Sequence, residues 1–427
     1  MTTRRTLLTG MVGLGALAAG GCSSSDRTAA GPAGARAGVS QPSASADPVA
    51  VRAVLGGPVT IGLVVSLTSG AGEGRSWAAG SEGAHVAVRR LRRGDAQVDV
   101  VAANDKGTAE GIVAAVQDLA DKGVAGIVVA SAGTHLRAAL APAAKRGIPL
   151  VLCHPVSGTL LRENVWCTAP LTEHLDAALV RAAGSGSVLV DAGGGTPSGL
   201  APRVTLRSGA AGLDAASMKH LRTLPQETVV VTGDADALAA VAAALQTVAH
   251  QGRVLLGPEA TSRRFAKALL ERQASLGQDL VTVGLPTDDP MAMTAGEQGQ
   301  AVTNFLAGVR DASTSQMTSF FDGAPFSEVA WAADAASHDA VIALVGGAAM
   351  AASSDPRRVA EKLAGLRLGH RDGLVTAAVD LTRRGAGVDR AAVDASEVVV
   401  LRSTQQDPGL RPADPSAAGG LFWFADS

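Results

Sequence analysis

An α/β chain of two doubly wound parallel-sheet lobes is the fold class the sequence predicts, and three observations predict it. Short β-branched runs alternate with helical patterns, glycine-rich loops follow several of the runs, and the chain is too long for one ordinary core. Alternation of strand and helix means a parallel sheet with helices on both faces. The 427 residues suit two domains of roughly 100 to 200 residues each. A hydrophobic fraction of 47% against 18% charged residues is the composition of a packed protein, not a disordered one.

Val59-Thr60-Ile61-Gly62-Leu63-Val64-Val65 reads as the first strand, with a Gly/Ser-rich loop and a helix from about Ser76 to Arg93 after it. The unit recurs at Val98 to Ala102 with a helix from about Thr108 to Lys122, and at Gly126 to Ala130 with a helix from about Thr134 to Arg146. Pro149 to Leu152 and a connecting strand around Val165 to Thr168 follow. A second series has strands near Ser187 to Val190, Arg203 to Leu206, Thr228 to Thr232, Val254 to Leu256 and Leu280 to Val283. Helices near Phe305, Ala330 to Ala351 and Arg357 to Leu366 come next, and Val398 to Leu401 closes the folded part. Doubly wound sheets bind ligands at the carboxyl ends of their strands, so two facing lobes place the site in the cleft between them.

The first residues are an export signal. Arg4-Arg5 opens a positive segment, Leu7 to Ala19 is apolar but shorter than a membrane span needs, and small residues precede Cys22. The twin arginines resemble a Tat signal, the alternative being a Sec signal. Ala19-Gly20-Gly21-Cys22 resembles a lipobox, in which Cys22 becomes the lipidated N-terminus after residues 1–21 are removed. A plain secretory peptide is the other reading. The Ser/Ala/Gly/Pro-rich stretch after Cys22 suits a flexible tether over 22–57, and the predicted location is the outer face of the cell membrane.

A formal net charge of −2 provides no basic field for a phosphate backbone, so nucleic acid is not an expected partner. With no Tyr and 3% aromatic residues, a pocket must be walled largely by small or aliphatic side chains. Cys153 and Cys167 are the cysteines left beside Cys22. In an oxidising compartment they are either a disulfide or two buried apolar thiols. Gly-x-Ser-x-Gly, Ser-x-x-Lys, His-Glu-x-x-His and Cys-x-x-Cys are all missing from the sequence, so no enzyme, metal or cofactor is predicted.

From Thr60 to about Val379 the order of segments resembles the leucine/isoleucine/valine-binding protein family of ABC-transporter receptors. The residues that carry it are Ile61 to Gly70, Ala79 to Ala84, Asn104-Asp105-Lys106-Gly107, Gly126 to Gly133 and Ala141 to Pro149 in the first lobe. In the second they are Val229 to Asp234 and Leu256-Gly257-Pro258-Glu259. Ser337-His338-Asp339-Ala340 stands where the family has Tyr-Asp-Ala. The resemblance implies a type I periplasmic binding fold with hinged lobes: 58–166 and 291–366 in the first, 167–290 and the strands of 367–427 in the second. It implies closure on a small polar solute, amino-acid-like or amide-bearing, and delivery to an ABC permease.

The ligand residues that follow from it are Ser131, Gly133, Thr134, His135 and Ser157 at strand-to-helix turns of the first lobe, which would grip a carboxylate. Glu259, with Asp234 second, would meet an ammonium from the other lobe. Glu73 and Trp77 fall near an aromatic wall, and His154 is a further candidate to line the cleft. Local roles compete with these: a helix cap for Thr134 and Asp234, a solvated turn for Glu259. Two departures matter. Val156 stands where the family carries Thr, and Gly193 to Ala201 is too short for the crossover helix after Asp191. The triple glycine lacks the Lys-Ser/Thr ending of a phosphate loop. A cell-envelope interaction or regulatory lipoprotein that kept the fold and lost small-molecule binding is therefore the rival reading.

Overall fold

The computed structural model describes residues 48–49, 55–69, 73–209, 212–274, 280–285 and 289–382, with the backbone of 397–403 and 422–426. The signal segment 1–21, the lipidation site Cys22 and nearly all of the tether lie outside the described residues.

The first sheet is built from β1 (Val59–Val65), β2 (Val98–Asn104), β3 (Ile127–Ala130), β4 (Leu150–Leu152) and β5 (Val165–Cys167). Its order is β2-β1-β3-β4-β5, parallel throughout. Strands of such a sheet are covered on both faces and read as unbroken Val/Ile/Leu runs; Ile127, Val128 and Val129 are fully buried. The crossovers are α1 (Gly83–Arg93), α2 (Ala109–Asp121) and α3 (Leu140–Arg146). Thr108 caps α2 by accepting from the Gly111 amide, and Ile112, Ala115, Val116 and Leu119 face the sheet at helical spacing.

The second series runs α4 (Thr172–Ala183), β6 (Val188–Ala192), β7 (Val204–Gly209), β8 (Gly212–Leu213), α5 (Ala215–Arg222), β9 (Val229–Gly233), α6 (Ala235–Thr247), β10 (Val254–Leu256), α7 (Arg263–Glu271) and β11 (Leu280–Gly284). The chain then re-enters the first lobe through α8 (Glu297–Ser313), α9 (Phe326–Val329), α10 (Ala335–Ala351), α11 (Pro356–Leu363), β12 (Arg367–Leu368) and β13 (Val379–Asp380). It returns to the second sheet as β14 (Glu397–Ser403) and β15 (Phe422–Asp426). That sheet has the order β15-β14-β11-β10-β9-β6-β7-β8.

β6 and β7 pair in parallel without a helix between them, as the shortness of 193–201 requires. Asp191 organises the turn by accepting from the amides of Gly193 and Gly195, at 3.0 and 2.9 Å. A Cβ on Gly194 would stand 2.6 Å from the Gly233 amide. The triple glycine thus serves a tight turn pressed on the neighbouring strand.

The first-lobe boundary at 366 needs correction. Leu366, Leu368, Leu374, Val379 and Leu381 all join the core of the first lobe, and the Trp166 indole donates to the Leu381 carbonyl at 3.2 Å. The return therefore continues to 382, because the β12–β13 hairpin packs its apolar side chains Leu368 and Val379 into this core. Its central helix is α10, buried on nearly every side. No single helix among the described residues is long and apolar enough to cross a membrane.

Candidate functional site

The first residues past β1, β2 and β3 are Ser66, Asp105 and Ser131, all fully buried. Strand geometry alone sets them side by side at the carboxyl edge. The Ser66 hydroxyl donates to Asp105 Oδ1 at 2.6 Å, and the Ser66 and Ser131 hydroxyls are 2.6 Å apart. Gly107 closes the turn with an amide bond to the same oxygen at 2.8 Å. Asp105 Oδ2 lies 3.0 Å from His135 Nε2, and His135 Nδ1 lies 2.8 Å from Glu73 Oε2. Thr134 Oγ1 donates to the other Glu73 oxygen at 3.4 Å.

An imidazole with a carboxylate on each nitrogen donates from both and carries the proton. Burial works against the charged ring, but Asp105 and Glu73 outweigh it and hold His135 above its ordinary pKa. Burial likewise opposes ionisation of Asp105, yet bonds from His135, Ser66 and Gly107 bring its pKa below the usual value. Gly133 makes the approach of Glu73 possible. Its φ is +130°, and a Cβ there would sit 2.3 Å from Glu73 Oε2.

Glu73 opens a short loop that reaches the second lobe. Ser76 Oγ accepts from the Ala235 amide at 3.3 Å, at the start of α6. The Trp77 indole N–H donates to Glu259 Oε1 at 3.1 Å, and the ring stacks on His154 with centroids 4.4 Å apart. Glu259 lies in the turn Pro258–Thr261 immediately after β10. Its Oε2 is sealed from solvent and has no hydrogen-bond partner in the protein. Burial pushes the Glu259 carboxyl up to about 7, against hydrogen bonds from Ser76 and Trp77, with the nearby Asp234 charge adding to the rise. Asp234 accepts from the Ala237 amide and caps α6.

Beside the Trp77–His154 stack is a cavity of about 90 Å³ bordered by Trp77, His154, Thr168, Thr261, Asp334 and Thr376. That is well below the roughly 300 Å³ at the lower end of ligand pockets. His154 is 2% exposed, and its Nε2 has no hydrogen-bond partner, since Asp334 Oδ2 is 3.7 Å away. Burial drives its pKa down to about 3, so the ring is neutral. A larger apolar cavity of about 460 Å³ lies toward the other end of α10, between Ile342, Val345, Leu366 and Leu368. It contributes nothing to the cleft.

The structure thus brings Glu73, Ser131, Gly133, Thr134 and His135 together on one side, and Trp77, His154, Asp234 and Glu259 on the other. Ser157 stands apart: its hydroxyl donates to Glu173 at 2.6 Å and accepts from the Thr159 amide. Val156 is buried in the core beside it. Sequence reasoning missed Ser66, Ser76, Asp105 as a ring partner, and Asp334. The signal for Ser66 and Asp105 was positional, each being the first residue past a strand. Nothing local marks Ser76 or Asp334.

Cys153 and Cys167 are both buried free thiols, so the disulfide alternative is corrected. Leu152 pairs with Cys167 across β4 and β5. Side chains alternate faces along a strand, so Cys167 shares a face with Leu152 and Cys153 points to the other. Accordingly Cys153 packs with Trp166 in one core and Cys167 with Leu152 in another. Burial raises both thiols, Cys167 to about 12. Alkylation of a chain lacking Cys22 should be slow when folded and should modify two thiols after unfolding without reductant. An unfolded chain with neither thiol modified would restore the bridge.

No protein-family profile and no curated protein sequence matches the chain. Solved structures do. The branched-chain amino acid transporter substrate binding protein LivJ from Streptococcus pneumoniae, in complex with isoleucine, is 14% identical with a TM-score of 0.60, over 86% of this chain and 100% of that one. A periplasmic binding protein type 1 from Bordetella pertussis is 15% identical with a TM-score of 0.58, over 86% and 100%. A solute binding protein of an ABC transporter from Rhodopseudomonas palustris, in complex with 3,4-dihydroxybenzoic acid, is 12% identical with a TM-score of 0.58, over 86% and 95%. At these identities the likeness establishes the fold: the chain has the type I periplasmic binding architecture.

Proposed function

We propose that the protein is an extracytoplasmic solute receptor, anchored through Cys22, that closes its lobes on a small polar solute and presents it to an ABC permease. The observation that carries this reading is the cleft itself. Side chains from the carboxyl ends of both sheets converge there, and Glu259 Oε2 and His154 Nε2 are both buried without a hydrogen-bond partner, His154 beside the cavity. Burying such atoms without a partner costs about 1–3 kcal/mol each, and a solute with matching groups removes that cost. Ser76 and Trp77, which cross from one lobe to the other, supply contacts that form only on closure.

The ligands bound in two of the similar structures, isoleucine and 3,4-dihydroxybenzoic acid, support the general mode without naming this solute. Loss of small-molecule binding, with a role in envelope interactions, is the second reading. The cavity of about 90 Å³ favours it.

A thermal-shift screen separates the two. A ligand at a hundred times its Kd adds about 2.7 kcal/mol of stability, a readily measured rise in midpoint. Glu259→Gln should weaken binding of such a ligand by about tenfold or more, because a charge-assisted bond contributes roughly 1.5–3 kcal/mol. A broad solute panel with no shift would leave the interaction reading standing alone.

A further inference from the structure

The turn Arg75–Trp77 is held by the first lobe at both ends and touches the second at its tip. Gly74, at φ +87°, lies against the end of β3, where a Cβ would strike the Ser131 hydroxyl and stand 2.9 Å from the Ala132 amide. Just past the turn, the Gly80 carbonyl accepts from the Asp334 amide at 3.0 Å. With both feet fixed, the tip loses little freedom when it makes contacts across the cleft.

The groups it meets are polar ones that the second lobe leaves to it. Ala235 opens α6, and the cap Asp234 accepts from Ala237, so the acceptor for the Ala235 amide is Ser76 Oγ at 3.3 Å. Glu259, on the acidic side of the cleft with Asp234 nearby, takes the Trp77 indole N–H on Oε1 at 3.1 Å. The indole is 6% exposed and backed by His154, with ring centroids 4.4 Å apart and planes 17° apart. An indole N–H only donates, so the chain itself gives Glu259 a donor of the kind a solute would bring. On α7, which packs against the turn, Lys267 Nζ lies 4.9 Å from the centroid of Trp331, directly after α9 in the first lobe.

We propose that the Arg75–Trp77 turn is a built-in latch, in which Ser76 and Trp77 fasten the second lobe to the first without any solute. The latch goes beyond the receptor reading and does not rest on it. In solute-driven closure these bonds form only after a ligand has drawn the lobes together; here they hold the lobes beforehand, and a solute has to displace the indole before it can use Glu259 Oε1.

Hydrogen exchange of the full chain tests this at the Ala235 amide, which is protected while Ser76 reaches it. Wild type, dialysed until its native mass shows the chain alone, should exchange there at least tenfold more slowly than Trp77→Ala, with exchange in β3 and β9 alike in the two proteins. Indole added to Trp77→Ala should restore the protection, since it returns both the ring and the N–H. Trp77→Phe, which keeps a ring on His154 and loses the donor, should also lose protection and carries the comparison where Trp77→Ala does not fold. If the dialysed wild type exchanges at Ala235 as fast as an unprotected amide, the latch falls while the receptor reading survives, a result that needs no variant. If wild type and both variants are equally protected, something other than this turn holds the lobes, and the latch falls as well.

Discussion

Asp339→Ala is expected to destabilise the protein by about 3–5 kcal/mol, the size seen when one partner of a buried charged network is removed. Asp339 is 1% exposed and sits on α10, the central helix of the first lobe. Its Oδ2 accepts from the amides of Val375 and Thr376 at 2.9 and 2.7 Å and from the Thr376 hydroxyl at 2.8 Å. Its Oδ1 faces His338 Nδ1 at 2.8 Å. That bond fixes the imidazole: with Nδ1 donating to the carboxylate, Nε2 is the acceptor for Arg90 Nη1 at 3.0 Å. Burial lowers the His338 pKa despite the neighbouring carboxylate, in keeping with a neutral ring.

Truncation would leave two backbone amides and a hydroxyl buried without acceptors, each costing about 1–3 kcal/mol. Because Thr376 also borders the cleft cavity, the same change should weaken solute binding. Urea unfolding reads the effect as a lower midpoint at unchanged slope. A loss under 1 kcal/mol would mean that the 373–376 segment is held by its apolar contacts instead.

The architecture was legible because parallel strands announce themselves. Val59 to Val65 and Ile127 to Ala130 have no polar face, and each is followed by a helical pattern of the length a crossover requires. The missing crossover after Asp191 was also legible, since nine residues rich in glycine cannot form that helix. The family resemblance pointed to Thr134, His135 and Glu259, and all three follow strand ends, which a sheet of this kind gathers at one edge. What the sequence did not carry was pairing between distant segments. Glu73 is 62 residues from His135, and Trp77 is 182 residues from Glu259. Those contacts depend on how the loop after β1 is folded and how the lobes meet, neither of which leaves a periodicity. The cysteines show the same limit. Alternation of faces was knowable, but the register that sets Leu152 against Cys167 comes from the sheet.

Glu259→Gln should stabilise the solute-free protein at neutral pH even as it weakens binding, and the gain should depend on pH in a defined way. A carboxyl raised from 4.5 to about 7 in the folded state keeps a proton that the unfolded chain releases above about 4.5. Between those values the folded state binds more protons, so the Glu259 contribution to stability falls as pH rises. The full effect is about 3 kcal/mol, reached near pH 7. Glu82, raised to about 7 chiefly by burial, behaves in the same way. Histidines oppose both. His85 and His154 are lowered by burial to about 4 and about 3, so the unfolded chain takes up protons there that the folded chain refuses, and stability rises with pH up to about 6.5. His135, raised by its two carboxylates, adds stability below about 6.5 that is lost as pH climbs through its folded value. These slopes partly cancel in the wild-type profile, which makes the wild type a poor readout. The difference between Glu259→Gln and wild type removes the shared groups. It should be near zero below pH 4.5, grow through pH 6 and level off above pH 7, because glutamine keeps an oxygen for the Trp77 indole and carries no charge to bury. A difference that stays flat across this range would mean that Glu259 ionises freely in the closed cleft, and that the acidic side has a counter-charge supplied by the protein itself.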